Sequence, residues 1–130
     1  MADTFKFELV TPERMLMSED AARVVVPGLE GRFTVLPNHA PVISALRPGV
    51  IELTLADGQS ARVFVKGGFA EVDAGHVTVL AERAWNVEEL DQRMIASELQ
   101  AAEAELAAAS SDTARLAAVS AVEQLKALQR

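Results

Sequence analysis

Residues 27 to 50 read Pro27-Gly28-Leu29-Glu30-Gly31-Arg32-Phe33-Thr34-Val35-Leu36-Pro37-Asn38-His39-Ala40-Pro41-Val42-Ile43-Ser44-Ala45-Leu46-Arg47-Pro48-Gly49-Val50. Four of the five prolines and three of the seven glycines fall in these 24 residues, with one of the two histidines and short apolar runs between the breaks. The stretch is too apolar for a disordered linker and too broken for a helix. Proline fixes its own φ and restricts the residue before it, and glycine permits φ values that other residues avoid. A tightly specified path of short strands and turns is therefore expected here, and with it the function.

On either side of this stretch the chain reads as β. Phe5, Phe7 and Leu9 alternate with Lys6 and Glu8, the period of a half-buried strand. Arg23 to Val26 reads as a strand ended by Pro27-Gly28. Ile51, Leu53 and Leu55 alternate with Glu52 and Thr54, and Asp57-Gly58 then signals a hairpin whose return strand is Ala61 to Lys66. Gly67-Gly68 punctuates the chain before Phe69 to Asp73, and Ala74-Gly75 turns it into Val77 to Ala81. Short strands with turns at this spacing predict an antiparallel sandwich or barrel.

Composition changes near residue 86. Every glycine, proline and aromatic lies before it, whereas residues 87 to 130 hold 12 alanines in 44 positions. This divides the chain into a β domain over residues 1–85 and a helical domain over 86–130. Asn86-Val87-Glu88-Glu89 fits an N-cap with a glutamate three residues later, which places a helix start there. Val87, Leu90, Met94, Ile95, Leu99, Ala102 and Leu106 share one face at helical spacing. Ser110-Ser111-Asp112-Thr113 interrupts the pattern, and a second helix from about Thr113 carries the stripe Ala114, Ala118, Ala121, Val122, Leu125 and Leu128. So short a break makes the helices an antiparallel hairpin, or an extended pair if something else covers their apolar faces. Alanine buries little area, so the hairpin is expected to be weakly held. Residues 87 to 112 carry seven acids and one base, and residues 113 to 130 one acid and three bases (Arg115, Lys126, Arg130), a split that favours pairing of the two helices.

The formal charge of −7 argues against a nucleic-acid partner, which needs a basic face. No apolar run approaches the roughly 20 residues of a membrane span, and Met1-Ala2-Asp3-Thr4 lacks the basic start and apolar block of a signal peptide. A cytosol-like compartment is expected. Zero cysteines excludes disulfides, thiolate metal sites and a cysteine nucleophile. With two histidines 37 positions apart and no carboxylate cluster beside them, no metal site is expected.

His39 reads equally as an interface residue and as a loop histidine bonded to nearby backbone, whereas no partner completes a catalytic triad around it. His76, after Gly75, reads as exposed. Gly67-Gly68 and Gly28-x-x-Gly31 match neither G-x-x-x-x-G-K-[ST] nor G-x-G-x-x-G, so each reads as a turn or bulge. Leu116 and Val119 lie near the polar side of the last helix, either as scattered exposed residues or as a second face for a partner.

Gly28-x-Glu30-Gly31, then Leu36-Pro37-x-His39-Ala40-Pro41, then Leu46-x-Pro48-Gly49, resembles the epsilon subunit of F-type ATP synthases, called delta in mitochondria. Gly67-Gly68-Phe69-x-Glu71-Val72 and Val77-Thr78-Val79-Leu80-Ala81-Glu82 continue the match, and the resemblance covers the whole chain. It implies about ten strands in a flattened sandwich followed by a helical hairpin. It also implies a non-catalytic, cofactor-free central-stalk subunit, peripheral on the cytoplasmic face of the bacterial inner membrane, that couples rotation of the c-ring to ATP synthesis through gamma. The residues implied toward the c-ring are Gly28, Glu30, Gly31 and Arg32, and those toward gamma are Pro37, His39, Ala40 and Pro41. The α3β3 head is a further partner through the helices.

Some members of that family bind ATP at I/L-D-x-x-R-A. Here Leu90-Asp91-Gln92-Arg93-Met94-Ile95 keeps the Leu-Asp start, which makes Asp91 and Arg93 the candidate nucleotide contacts. The arginine comes one position early, about 100° around a helix, and the alanine is replaced. With few cations on the second helix as well, the resemblance implies a weak inhibitor of hydrolysis, or none. The other reading is a sandwich-and-hairpin adaptor of an unrelated cytosolic assembly.

Overall fold

A computed structural model describes residues 3–129, so the readings made on Met1, Ala2 and Arg130 lie outside the described residues. Nine strands come first: β1 (Phe5–Val10), β2 (Met15–Gly28), β3 (Gly31–Val35), β4 (Val42–Ala45), β5 (Gly49–Leu55), β6 (Ser60–Val65), β7 (Gly68–Asp73), β8 (His76–Ala81) and β9 (Ala84–Asn86). A single 3-10 turn (Val87–Glu89) leads into α1 (Gln92–Ala108) and α2 (Asp112–Leu128).

The strands form one hydrogen-bonded path, β4-β7-β8-β1-β2-β5-β6-β9, with β3 on β2. All pairs are antiparallel except β1 with β8, which run parallel. β2 is the pivot. Its first half pairs with β1 and its second half with β3, and a register shift between Ala21 and Arg23 interrupts its ladder with β5. Such an irregularity bends a strand and increases its twist. The sheet folds over itself, and Phe7, Leu9, Val24, Ile51, Val65 and Val79 meet in one core.

The paired ends of β5 and β6, residues 49–51 and 63–65, are buried on both faces. Ile51, Val63 and Val65 belong to the sandwich core, while Val50 and Phe64 point the other way into a second cluster with Leu99, Ala102, Ala121, Val122 and Leu125. Continuous apolar runs in a strand have this cause: no side of it meets water. The helices therefore fold back as a hairpin and lie on the sheet. Phe64 and Trp85 stack beneath them with ring centroids 5.7 Å apart.

Polar ties fix the register of this docking. Ser120, the one buried polar residue among those described, donates from Oγ to the carbonyl of Pro48 at 2.8 Å. Glu98 of α1 pairs with Lys66 at 3.8 Å and Arg83 at 3.2 Å, and Arg83 also lies 4.6 Å from the centre of the Trp85 ring. Lys66 reaches Glu105 as well, at 3.4 Å. Among the described residues no ion pair joins α1 to α2, so the charge split serves the sandwich rather than the helix pair.

The first helix starts later than its spacing suggests. Asn86 does cap, but its side chain accepts from Glu88 N and closes only the 3-10 turn; Leu90 is extended, and Asp91 caps α1 by accepting from Met94 N at 2.8 Å. Two capping signals five residues apart competed, and the second carries the long helix. The second helix begins at Asp112, one residue before the expected start, with Ser111 as its cap. His76 is not merely exposed, since its Nε2 lies 3.0 Å from Glu8 Oε1.

Replacing Ser120 with Ala leaves the buried Pro48 carbonyl without a partner and should cost about 1–3 kcal/mol of unfolding free energy. Glu98→Gln, at a site where the Lys66 and Glu98 side chains are only 12% and 16% exposed, should cost more than Glu105→Gln, whose own carboxylate is 58% exposed and whose loss should stay within about 1 kcal/mol. Urea titrations followed by Trp85 fluorescence rank the three.

Candidate functional site

Gly28 and Gly31 are the paired ends of the β2–β3 hairpin, with Leu29-Glu30 as its two-residue turn. A Cβ at Gly28 would lie 2.6 Å from the Gly31 carbonyl oxygen, and Gly31 has φ +144°. Glycine is required at both positions for different reasons, space at the first and conformation at the second.

The tip of this hairpin is stitched to the end of β4 and the chain that follows it. Leu29 N donates to Ala45 O at 2.8 Å, Arg47 N donates to Pro27 O at 3.0 Å, and Gly28 forms a bridge with Leu46. At Gly49 a Cβ would lie 2.9 Å from that of Pro27. The two segments approach as closely as backbone allows.

Between them, the Leu36–His39 turn closes with His39 N donating to Leu36 O at 3.2 Å, and Asn38 takes φ +68°. His39 Nδ1 lies 2.7 Å from the Ala40 carbonyl. A carbonyl only accepts, so this contact is a hydrogen bond in the tautomer that carries its proton on Nδ1. The nearby-backbone reading of His39 thus describes one ring nitrogen, and no hydrogen bond is made by the other among the described residues.

A groove of about 530 Å³ brings together Leu29, Glu30, Gly31, Phe33, His39 and Ile43. Residues that the sequence assigned to two different partners therefore line one concavity. Arg32 does not line it; its Nη2 donates to Glu52 Oε2 at 2.7 Å across β3, β2 and β5. Pro37, Ala40 and Pro41 shape the turn without lining the groove, and Asp91 and Arg93 lie on α1 and its cap, with the Asp91 carboxylate engaged by Met94 N.

An exposed apolar row adjoins the groove and was missed in the sequence. Ala45 pairs with Phe69, Phe69 with Leu80, Leu80 with Val10 and Val10 with Met15, so five strands contribute to one line on the outer face. Phe69 is 55% exposed and Ile43, two residues from Ala45, is 71% exposed. The alternation of β7 carried the signal: Ala70 and Val72 are its buried residues, which puts Phe69 on the solvent side with Glu71 and Asp73. Contiguous exposed apolar surface marks a place where another molecule binds. Among the described residues there is no group of three or more His, Asp or Glu that could hold a metal, and no helix is long and apolar enough to cross a membrane.

A family model described as the beta-sandwich domain of the ATP synthase delta/epsilon chain matches residues 4–87. The ATP synthase epsilon chain of Maricaulis maris is 45% identical over 129 residues, covering 99% of this chain and 96% of that one. That of Sinorhizobium medicae is 47% identical over 112 residues, 86% of this chain and 84% of the relative. A chain of the Euglena gracilis mitochondrial ATP synthase, solved as OSCP, F1 and c-ring, superposes with a TM-score of 0.73 at 26% identity, over 96% of this chain and 79% of its own. A chain of the Tetrahymena thermophila mitochondrial ATP synthase central stalk and c-ring shares the fold, with a TM-score of 0.67 at 15% identity over 98% of both chains.

Gly28→Ala forces a Cβ against the Gly31 carbonyl and should lower the unfolding free energy by about 1–3 kcal/mol, whereas Glu30→Ala at the exposed tip should change it by less than about 0.5 kcal/mol. Equal effects of the two substitutions in chemical denaturation would mean that the tip is not held as described.

Proposed function

The chain belongs to the delta/epsilon-chain family of ATP synthases, and from that membership we propose that it acts as a non-catalytic rotor subunit of F1, a clamp between gamma and the c-ring. The observation that supports this reading is the stitched 27–50 segment with the groove and the exposed apolar row beside it. Torque passes best through contacts on a backbone that cannot yield. A preordered surface also loses little further conformational entropy when it docks.

In this proposal the β domain, residues 1–85, makes the rotor contacts, and the hairpin, residues 86–130, is an appendage. Gly28, Glu30, Gly31 and Arg32 face the c-ring. Pro37, His39, Ala40 and Pro41 face gamma, which continues along Ile43 and the Phe69–Leu80 row. The subunit reaches the membrane only through the Fo sector, as a peripheral protein on the cytoplasmic face of the bacterial inner membrane. An adaptor role in an unrelated assembly is not favoured, because near-full-length relatives are ATP synthase epsilon chains.

For the hairpin we propose weak inhibition of hydrolysis or none, and no nucleotide held by Asp91 and Arg93. Asp91 is spent on capping α1, and α2 offers only Arg115 and Lys126 as cations among its described residues. The acidic residues Glu98 and Glu105 face the sandwich's own cations.

Phe69→Asp and Ile43→Asp replace exposed side chains, so the folded chain should keep its thermal midpoint while affinity for gamma falls at least about tenfold, the loss of roughly 1.4 kcal/mol. Unchanged affinity in surface-plasmon measurements would remove the apolar row from the gamma contact. Arg32→Glu sets two acids against each other at Glu52, and a charge swap with Glu52→Arg restores that pair. If the swap also restores proton-driven ATP synthesis, Arg32 acts within the chain; the proposal expects synthesis to stay impaired.

A further inference from the structure

β4 ends the strand path and pairs only with β7. Its register is unbroken from Val42, opposite Val72, to Ala45, opposite Phe69, and the next residue, Leu46, donates from N to Gly68 O at 2.9 Å. Hydrogen-bonded and non-hydrogen-bonded pairs alternate along an antiparallel ladder. Val42 and Ser44 therefore face β7 like Leu46, and Ile43 and Ala45 turn their main-chain groups to the opposite side. The Ala45 carbonyl fits this phase, because on that side it accepts from Leu29 N at 2.8 Å. The Ile43 N–H, the Ile43 carbonyl and the Ala45 N–H are left without a partner among the described residues.

An open edge of this kind is a template for another strand, and charge, proline or a bulge ordinarily guards it. The exposed half of β2 is guarded, by Glu19, Asp20 and the register shift opposite Leu9 and Val10. β4, Val42-Ile43-Ser44-Ala45, has no charge and no shift, and only Pro41, just before it, limits how far pairing can run. The groove of about 530 Å³ is lined by all four residues of β4 together with Leu29, Phe33 and His39. Since Leu29 lies on the open side of Ala45, groove and free edge are on the same side, and the Leu29–Ala45 bond is already the first rung of a ladder there.

We propose that this groove takes one extended segment of the gamma subunit as an added strand on β4, bonded through the main chain of Ile43 and Ala45. The proposal rests on the rotor reading and adds how gamma is held. In strand addition the main-chain bonds supply affinity and alternate side chains supply fit. Ile43 is 71% exposed and Val42, on the other face of the strand, is 37% exposed, so a segment with apolar residues on both of its faces fits best.

Amide hydrogen exchange of the full chain, alone and bound to gamma, tests this. In the free chain the Ser44 amide is protected by β7, whereas those of Ile43 and Ala45 exchange as open amides do. In the complex the Ile43 and Ala45 amides should slow roughly tenfold or more, as formation of one hydrogen bond each requires. Ala45→Pro deletes an N–H that nothing within the chain uses, a change that edge strands accept, and should weaken gamma binding roughly tenfold. A complex in which Ile43 and Ala45 keep their free exchange rates overturns the strand addition and leaves the rotor reading standing. Protection combined with undiminished affinity of Ala45→Pro also overturns it, since shielding without bonding would then be the cause. Absence of any complex with gamma overturns both readings, and the wild-type exchange decides the matter even if Ala45→Pro does not fold.

Discussion

The structure depends on a close passage of backbone past backbone. Pro27-Gly28 and Leu46 to Gly49 run so near each other that a Cβ at Gly49 would sit 2.9 Å from Pro27, and within the β2–β3 hairpin one at Gly28 would meet the Gly31 carbonyl at 2.6 Å. That contact fixes the β2–β3 tip against β4, and it presents the Pro48 carbonyl to Ser120 of α2. One constraint thus sets the shape of the groove on one side and the register of the helical hairpin on the other. Glycine at these positions is a steric requirement, which is why so many breaks in 24 residues produce order rather than disorder.

The hairpin is held differently. Alanine lets its helices come close, but Ala102, Ala118 and Ala121 bury little area each, and the large side chains of the second cluster, Phe64 and Trp85, come from the sheet. Its polar ties are few and concentrated. Glu98 takes two cations, an exposed Arg83 and a Lys66 largely closed to water, where a charge pair is screened less than on the surface, and Ser120 donates to the Pro48 carbonyl. The acids of α1 are therefore used across the domain interface. Counting charges along the two helices suggested that they attract each other, but charge counts carry no information about which face each side chain occupies.

Much of the β domain was legible because half-buried strands write their burial as alternation: β1, β5, β6, β7 and β8 all lie within a residue or two of the positions their pattern gives. The segment Met15 to Ala22 was not, since this half of β2 has a mostly exposed run, Ser18 to Asp20, and propensity is silent where packing is absent. β4 and β9 are short edge strands whose membership is decided by partners far away in sequence, β7 and β6. The parallel pairing of β1 with β8 is a property of topology that no local pattern encodes. Of the site, the turn glycines and the His39 segment could be read, but their convergence on one groove could not. Glu52 beneath Arg32 and Ser120 beneath Pro48 were invisible for the same reason, their partners being 20 and 72 residues away. Phe69 was the avoidable miss, because its phase against Ala70 and Val72 already placed it outside.

These two ways of holding structure suit opposite demands. The 27–50 face gains its rigidity from backbone contacts that no side-chain rotamer change can relax, so a partner resting on it meets a surface of fixed shape. The hairpin joins the sandwich through the 3-10 turn and the extended Leu90, and its apolar cluster is separate from the sandwich core, so it could leave without unpairing a strand. Leaving has a definite cost: it bares Phe64, whose burial is favourable by about 1.5–3 kcal/mol, and it strands the Pro48 carbonyl and the Lys66 and Arg83 cations. A partner that covers Phe64 or competes for those cations would offset that cost.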